Sequence, residues 1–400
     1  MAQLVVRAGG GDVALIERVL TGAPSDRPHR LVTDAHVAQS SPRLAQAARG
    51  AGVPFMVDPQ THYLQDTQHD ADRWAQLAFA SPAALTPGDL LAKRAGEALV
   101  AGVLEHQLAC GATALIAPYV HIERADDGWR EAQIALWQAT GRYLERQGLR
   151  LPILPVLALG WRLLERREWP ATLTPLIATL ETNLAVNEIA LAASRVAAGV
   201  TAADRLTCMV AVIRELRAHW PVLMWQQGEL GDAALAAGAE GYECGIGWRE
   251  RCDLGSQMRA HRKPTRRGGS ARPVYIGALR ASLPKSSVEA LLAADPAVAA
   301  RLTCLDPTCC PSGRQALLTD ARSHAIAARR RSIELVIKPA QPAWRWNHLA
   351  REVTEGLALA DRVNLLATST PGVKRINTTA LRATLSLANS RRQTLGRRAA

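Results

Sequence analysis

No run of eighteen apolar residues occurs anywhere in this 400-residue chain, which excludes an ordinary transmembrane helix. The first residues, MAQLVVRAGGGDVAL, lack the basic start and long apolar stretch of a signal peptide, so the expected location is cytoplasmic. Glycine-rich phosphate loops are missing too. Gly9–Gly11 with Asp12 suits a helix cap and matches neither a Walker nor a dinucleotide pattern. Lysine is scarce: five of 48 basic residues, the rest being arginine. Acids are absent from Leu254 to Ser287, which holds Arg259, Arg262, Lys263, Arg266, Arg267, Arg272, Arg280 and Lys285. They are absent again after Asp361, and the chain ends SRRQTLGRRAA. With a net charge of +12, such fields favour a polyanion such as nucleic acid, a solubilising loop and tail being the plainer reading.

What the chain has is alternation. Eight short apolar runs read as strands: Leu4–Arg7, Arg30–Thr33, Pro54–Val57, Thr113–Ala117, Ile153–Leu159, Glu188–Ala192, Val222–Trp225 and Tyr242–Ile246. Amphipathic segments separate them. In Ala202–His219, Leu206, Val210, Ile213 and Leu216 share one side, and Arg205, Arg214 and Arg217 the other. Eight strands alternating with helices predict an α/β fold, a (β/α)8 TIM barrel, with a doubly wound open sheet as the alternative. The expected domains are a barrel over 1–271, a helical zinc-binding appendage over 272–366 and a basic, flexible tail over 367–400.

Chemistry in such a barrel sits at the C-terminal ends of the strands. Those ends carry Asp34 and His36, then Asp58, Gln60, Thr61 and His62, then Tyr119 and His121. Later ends carry Gln226, Gln227 and Glu229, and beyond the last strand Trp248 and Arg249. Glu243 lies inside a strand, between Tyr242 and Cys244. A carboxylate there costs several kcal/mol unless paired, protonated or used. Glu243 and Asp58 form a candidate catalytic pair, one attacking and the other handling protons. A buried ion pair between Glu243 and a barrel arginine is the competing reading, as is a turn aspartate before Pro59 for Asp58.

Seven cysteines in a cytoplasmic chain are not a disulfide framework. CLDPTCC, from Cys304 to Cys310, has the spacing of a metal site. Cys304, Cys309 and Cys310 are candidate zinc ligands, with Asp306 competing for the middle place. The fourth ligand is expected at His348, with His324 as its competitor; thiols without metal are the plainer reading.

Together these motifs resemble the tRNA-guanine transglycosylase superfamily over roughly Arg30–Leu366. VLMWQQGELGDAALAAG followed by Tyr242-Glu243-Cys244 is similar to the family's last barrel strand with its nucleophile. MVDPQTHYLQD places Asp58 at the proton-handling position, and Cys304, Cys309 and His348 match the zinc motif. The resemblance implies a TIM barrel with a zinc insertion, a covalent carboxylate–glycosyl intermediate, and exchange of guanine in nucleic acid for a free 7-deazaguanine base. It implies substrate binding by Asp34, His62, Tyr119, Gln226, Gln227 and Trp248, with Arg249, Arg262, Lys263, Arg266 and Arg267 on phosphates. A homodimer or a partner subunit is implied as well. Glu243 stands where the family has Asp; Pro59-Gln60-Thr61 replaces Ser-Gly-Gly; Ala117-Pro118 and Ala158-Leu159-Gly160 replace the base-reading residues. These departures favour DNA over tRNA. They also admit a catalytically silent paralogue that binds nucleic acid or a partner subunit.

Overall fold

A computed structural model describes the chain except residues 1, 24–26, 248, 265–271 and 400, and the side chains of 394–399. Its centre is a curled, TIM-barrel-like parallel sheet. The strands are β1 (Gln3–Ala8), β2 (Arg30–Asp34), β3 (Phe55–Asp58), β4 (Leu115–Ile116), β5 (His121–Ile122), β6 (Ile153–Leu154), β7 (Val156–Leu159), β8 (Ile189–Ala193), β9 (Val222–Met224) and β10 (Gly241–Gly245). Eight of them run in the order β3-β2-β1-β10-β9-β8-β7-β5, and β4 pairs with β6 alone. The fifth expected strand is thus split around Pro155, and β5 is a further strand past Pro118, beyond the expected fourth. Proline has no N–H for a ladder, so the split falls where the sequence cannot pair. Between β3 and β4 the backbone N–H of Thr113 donates to Phe55 O at 2.8 Å.

Residues two apart on a strand share a face. Val5, Val32, Met56, Ala190, Ala192 and Leu223 pack in one apolar cluster separate from the larger one. Continuing that parity along three strands puts Arg7, Asp34 and Asp58 on the same inner face, toward the strands' C-terminal ends. At the other end Arg30 and Glu188 form a two-pronged ion pair between strands four places apart in the sheet.

After the barrel come a hairpin, β11 (Val274–Ile276) and β12 (Ala281–Leu283), and helices that include Ala321–Ile337 and Pro342–Leu366. They share the barrel's outer core, and Arg280–Asp232 and Arg329–Glu250 pairs fasten them to it. The expected flexible tail differs. Thr379–Ala399 is a helix against Pro342–Leu366 and Ala202–Arg217, with Leu381, Leu387 and Ala388 buried. Among the described residues no helix is long and apolar enough to cross a membrane.

Candidate functional site

Arg7 is the hub of the barrel mouth, and the sequence reading did not single it out. Its Nε donates to Glu243 Oε1 at 2.9 Å and its Nη1 to Asp34 Oδ1 at 2.6 Å. Nη2 donates to Asp58 Oδ2 at 2.7 Å and to Glu243 Oε2 at 3.2 Å. Arg249 donates to the same Asp34 oxygen at 2.6 Å. Three carboxylates and two guanidinium groups therefore meet, and Arg7, Asp34, Asp58 and Glu243 are all buried. The ion pair weighed for Glu243 is present, and its arginine is Arg7.

Each acid is held differently. Asp58 fills all its acceptor positions: Oδ1 takes the Gln60 N–H at 2.9 Å and the Tyr119 hydroxyl at 3.0 Å. Its Oδ2 takes Arg7 and the Trp225 indole N–H, the latter at 3.2 Å. Glu243 Oε2 also accepts the Gln226 N–H at 2.8 Å. Burial pushes the Glu243 carboxyl above its ordinary value, against the pull of Arg7 and that N–H. Burial works the same way on Asp34, but Arg249 and Arg7 outweigh it and hold that carboxyl below its ordinary range. Gln60 and Gln226 adopt left-handed backbone, φ 51° and 55°, beside the two carboxylates. Strain of this kind, about 1–3 kcal/mol per residue, persists where the surroundings impose it.

The mouth is covered. Cys252 and Leu254 join the inner apolar cluster, and the short helix Leu254–Ala260 lies across the strand ends. Arg195 N–H donates to Cys252 O at 2.7 Å, and Gln257 Nε2 to Gln226 Oε1 at 2.6 Å. Beside this plug a cavity of about 330 Å³ is lined by His121, Glu123, Trp129, Trp161, Arg162, Arg195 and Arg259, among others. Burial lowers His121 to about 4, so its ring is neutral near pH 7. Gly160 is required here, since a Cβ would meet the backbone Cα of Glu123 at 2.6 Å.

Of the other expected residues, His62 is fully buried against Tyr63 and Tyr119, and among the described residues neither ring nitrogen has a hydrogen-bond partner. Burial holds it well below its ordinary pKa. Gln227 donates to Ala193 O, a structural bond. Arg262 pairs with Asp66 at 2.9 Å, away from the acids, and Lys263 is exposed nearby. Trp248, Arg266 and Arg267 lie outside the described residues.

The cysteine cluster needs one correction. Cys304, Cys309, Cys310 and His324 bring their ligand atoms within 4.8 Å of one another, so this group can hold a metal ion. The expected fourth ligand, His348, is outside it; its Nδ1 accepts from Arg351. Asp306 caps Thr308 and pairs with Arg331 instead of joining the group. His324 Nε2 stands 2.9 Å from Tyr275 O, which only accepts, so Nε2 carries the proton. That leaves the Nδ1 lone pair facing Cys309 Sγ at 3.3 Å and Cys310 Sγ at 3.5 Å, with the two sulfurs 3.8 Å apart. A tetrahedral zinc has ligand–ligand edges of roughly 3.5–3.8 Å, so the donor set fits. Burial and neighbouring thiols push Cys310 up to about 11 without a cation.

No family model matches the chain, and no curated protein matches it. Among solved structures it is similar to thiamine phosphate pyrophosphorylase from Pyrococcus furiosus, with 12% identity, 66% of this chain and 93% of that one covered, and a TM-score of 0.29. It is similar to 2,3-dimethylmalate lyase, a PEP mutase/isocitrate lyase superfamily member, at 12% identity, 65% and 80% coverage and a TM-score of 0.35. The carboxyl transferase domain of Rhizobium etli pyruvate carboxylase gives 12% identity, 98% and 61% coverage and a TM-score of 0.35. At these scores none of them bears on what the site does.

Proposed function

We propose that the protein is a base-exchange transglycosylase, a pentosyltransferase that replaces guanine in nucleic acid with a 7-deazaguanine, DNA being favoured over tRNA. One observation carries the reading: Asp58 and Glu243, from separate strands, converge on the same Arg7 nitrogen at the strands' C-terminal ends. Glu243 attacks C1′ of the target nucleotide. A carbon–oxygen bond forms as the bond to the base breaks, and the departing base takes up a proton. The incoming base loses its proton as it displaces Glu243, which restores the carboxylate. Asp58 manages these protons, a role that requires one of its four partners to let go. On a duplex the target is flipped out at a cost of roughly a few kcal/mol. Access requires the segment Cys252–His261 to leave the mouth. Zinc would be held by Cys304, Cys309, Cys310 and His324, where it supplies a structural cross-link and no chemistry at the mouth. The site of action is the cytoplasm.

The test uses labelled guanine or a 7-deazaguanine with duplex DNA or bulk tRNA. Label should enter one polymer, and Glu243→Gln should abolish entry while leaving nucleic-acid binding intact. Retained exchange in that variant would sink the assignment. A second reading is a silent paralogue that binds nucleic acid or a partner subunit. It is favoured by the filled acceptor positions of Asp58 and the full burial of Glu243. Salt-sensitive binding without any incorporation would select it.

A further inference from the structure

Arg7 spends four of its N–H bonds on three carboxylates, and two of the four go to Glu243. The grip on Glu243 is side-on and uneven. Oε2 accepts from Arg7 Nη2 and from Gln226 N–H, which fills both its lone pairs. Among the described residues Oε1 accepts only from Arg7 Nε, so one lone pair stays open. Side-on contact needs a carboxylate long enough to reach Nε and Nη2 together. Glutamate has that reach from β10, which gives a physical reason for glutamate at position 243.

We infer that Arg7 positions Glu243 for attack and that Oε1 is the attacking oxygen. The inference rests on the transglycosylase reading and adds to it the residue that aims the nucleophile. Arg7 acts through Glu243 and touches no substrate. It has two tasks: it fixes Oε2, and it keeps the carboxylate ionised where burial works against that. The charged groups facing it are Asp34 from β2, Asp58 from β3, Glu243 from β10 and Arg249 beyond β10, with the Tyr119 hydroxyl on Asp58 and the Trp225 ring 5.3 Å from its guanidinium carbon. Asp34 keeps Arg249 if Arg7 is lost; Glu243 has no second cation among these groups.

The experiment is a stability cycle on the full chain between pH 5 and pH 9, with Arg7→Met, Glu243→Gln, the double variant, and Arg7→Met with Asp58→Asn. Without Arg7 the folded-state pKa of Glu243 lies further above its unfolded value. Its contribution is then fully present at low pH and lost as pH rises through the folded value. Arg7→Met should therefore lower Tm by roughly 5 °C at pH 8 and by half of that or less at pH 5. Adding Glu243→Gln should restore most of the loss, and Asp58→Asn less. A pH-independent loss, or rescue by Asp58→Asn alone, would overturn the inference, because a residue that only fills space gives neither pattern. In the exchange assay Arg7→Lys should lower kcat about 100-fold with KM for the polymer little changed. Equal loss in KM alone would also overturn it. An inactive wild-type chain would sink the transglycosylase reading instead, and the stability cycle would still report whether Arg7 governs Glu243.

Discussion

The barrel mouth and the cysteine cluster both bury polar groups, and they satisfy them in opposite ways. At the mouth, Asp34, Asp58 and Glu243 find their partners within the chain, in Arg7, Arg249, Tyr119, Trp225 and two backbone N–H groups. In the cluster, the thiols of Cys309 and Cys310 lie within hydrogen-bond reach of the His324 Nδ1 lone pair, and the ring proton points away to Tyr275. The first group is complete as it stands; any ligand has to break into it. The second has room for a cation among its ligand atoms. Rigidity at the mouth is thus intrinsic, whereas the appendage has a group that a bound metal ion would tighten further.

Removing the cation should break the comparison most. Zinc should bind at one per chain, release protons from thiols that are otherwise protonated, and stabilise the appendage by several kcal/mol, on the order expected for a structural site. Metal analysis and melting with and without chelator check this, and Cys309→Ala or His324→Ala should abolish both effects. Next in size is the loss of Arg7 described above, with about 3–5 kcal/mol expected for a broken buried pair. A smaller effect comes from Glu250, which pairs with Arg329 where the two regions join. Burial pushes its carboxyl up to about 7, against the pull of Arg329. A raised carboxylate favours the folded state below its unfolded value and loses that advantage as pH climbs to about 7. Urea titrations should show stability declining from about pH 4.5 to 7, and Glu250→Gln should flatten the decline. The smallest effect sharpens the assignment of ligands: His348→Ala should leave metal content unchanged and stability within about 0.5 kcal/mol.

Much of the frame was legible from the chain. All eight expected strand regions carry strands, because short apolar runs between amphipathic helices leave few other folds. That Asp34, Asp58, Glu243 and Arg249 would seek partners at the mouth was legible, since charge in or just past a buried strand demands a partner. Arg7 carried the same signal, as it shares parity with Val5, but at the end of its apolar run it read as a boundary. The cover over the mouth was hidden. Cys252 and Leu254 are ordinary residues at the edge of a basic segment, and only tertiary packing makes them a lid over the inner core. His324 and His348 could not be ranked by spacing, because either helix could fold back on the cysteines. The helix Thr379–Ala399 was masked by its Thr, Ser and Arg content, although Leu381, Thr384 and Ala388 fall on one side at helical spacing.

The pairing of β1 with β10 has a consequence for how the molecule assembles. Arg7 and Glu243 stand 236 positions apart in the chain, and β1 lies between β2 and β10 in the sheet. During synthesis the first strand therefore emerges long before its second neighbour exists. Contacts of such long range form late, because loop closure must precede their reward. The Arg7–Glu243 contact is therefore expected to close late in barrel folding, after β1 has found β2.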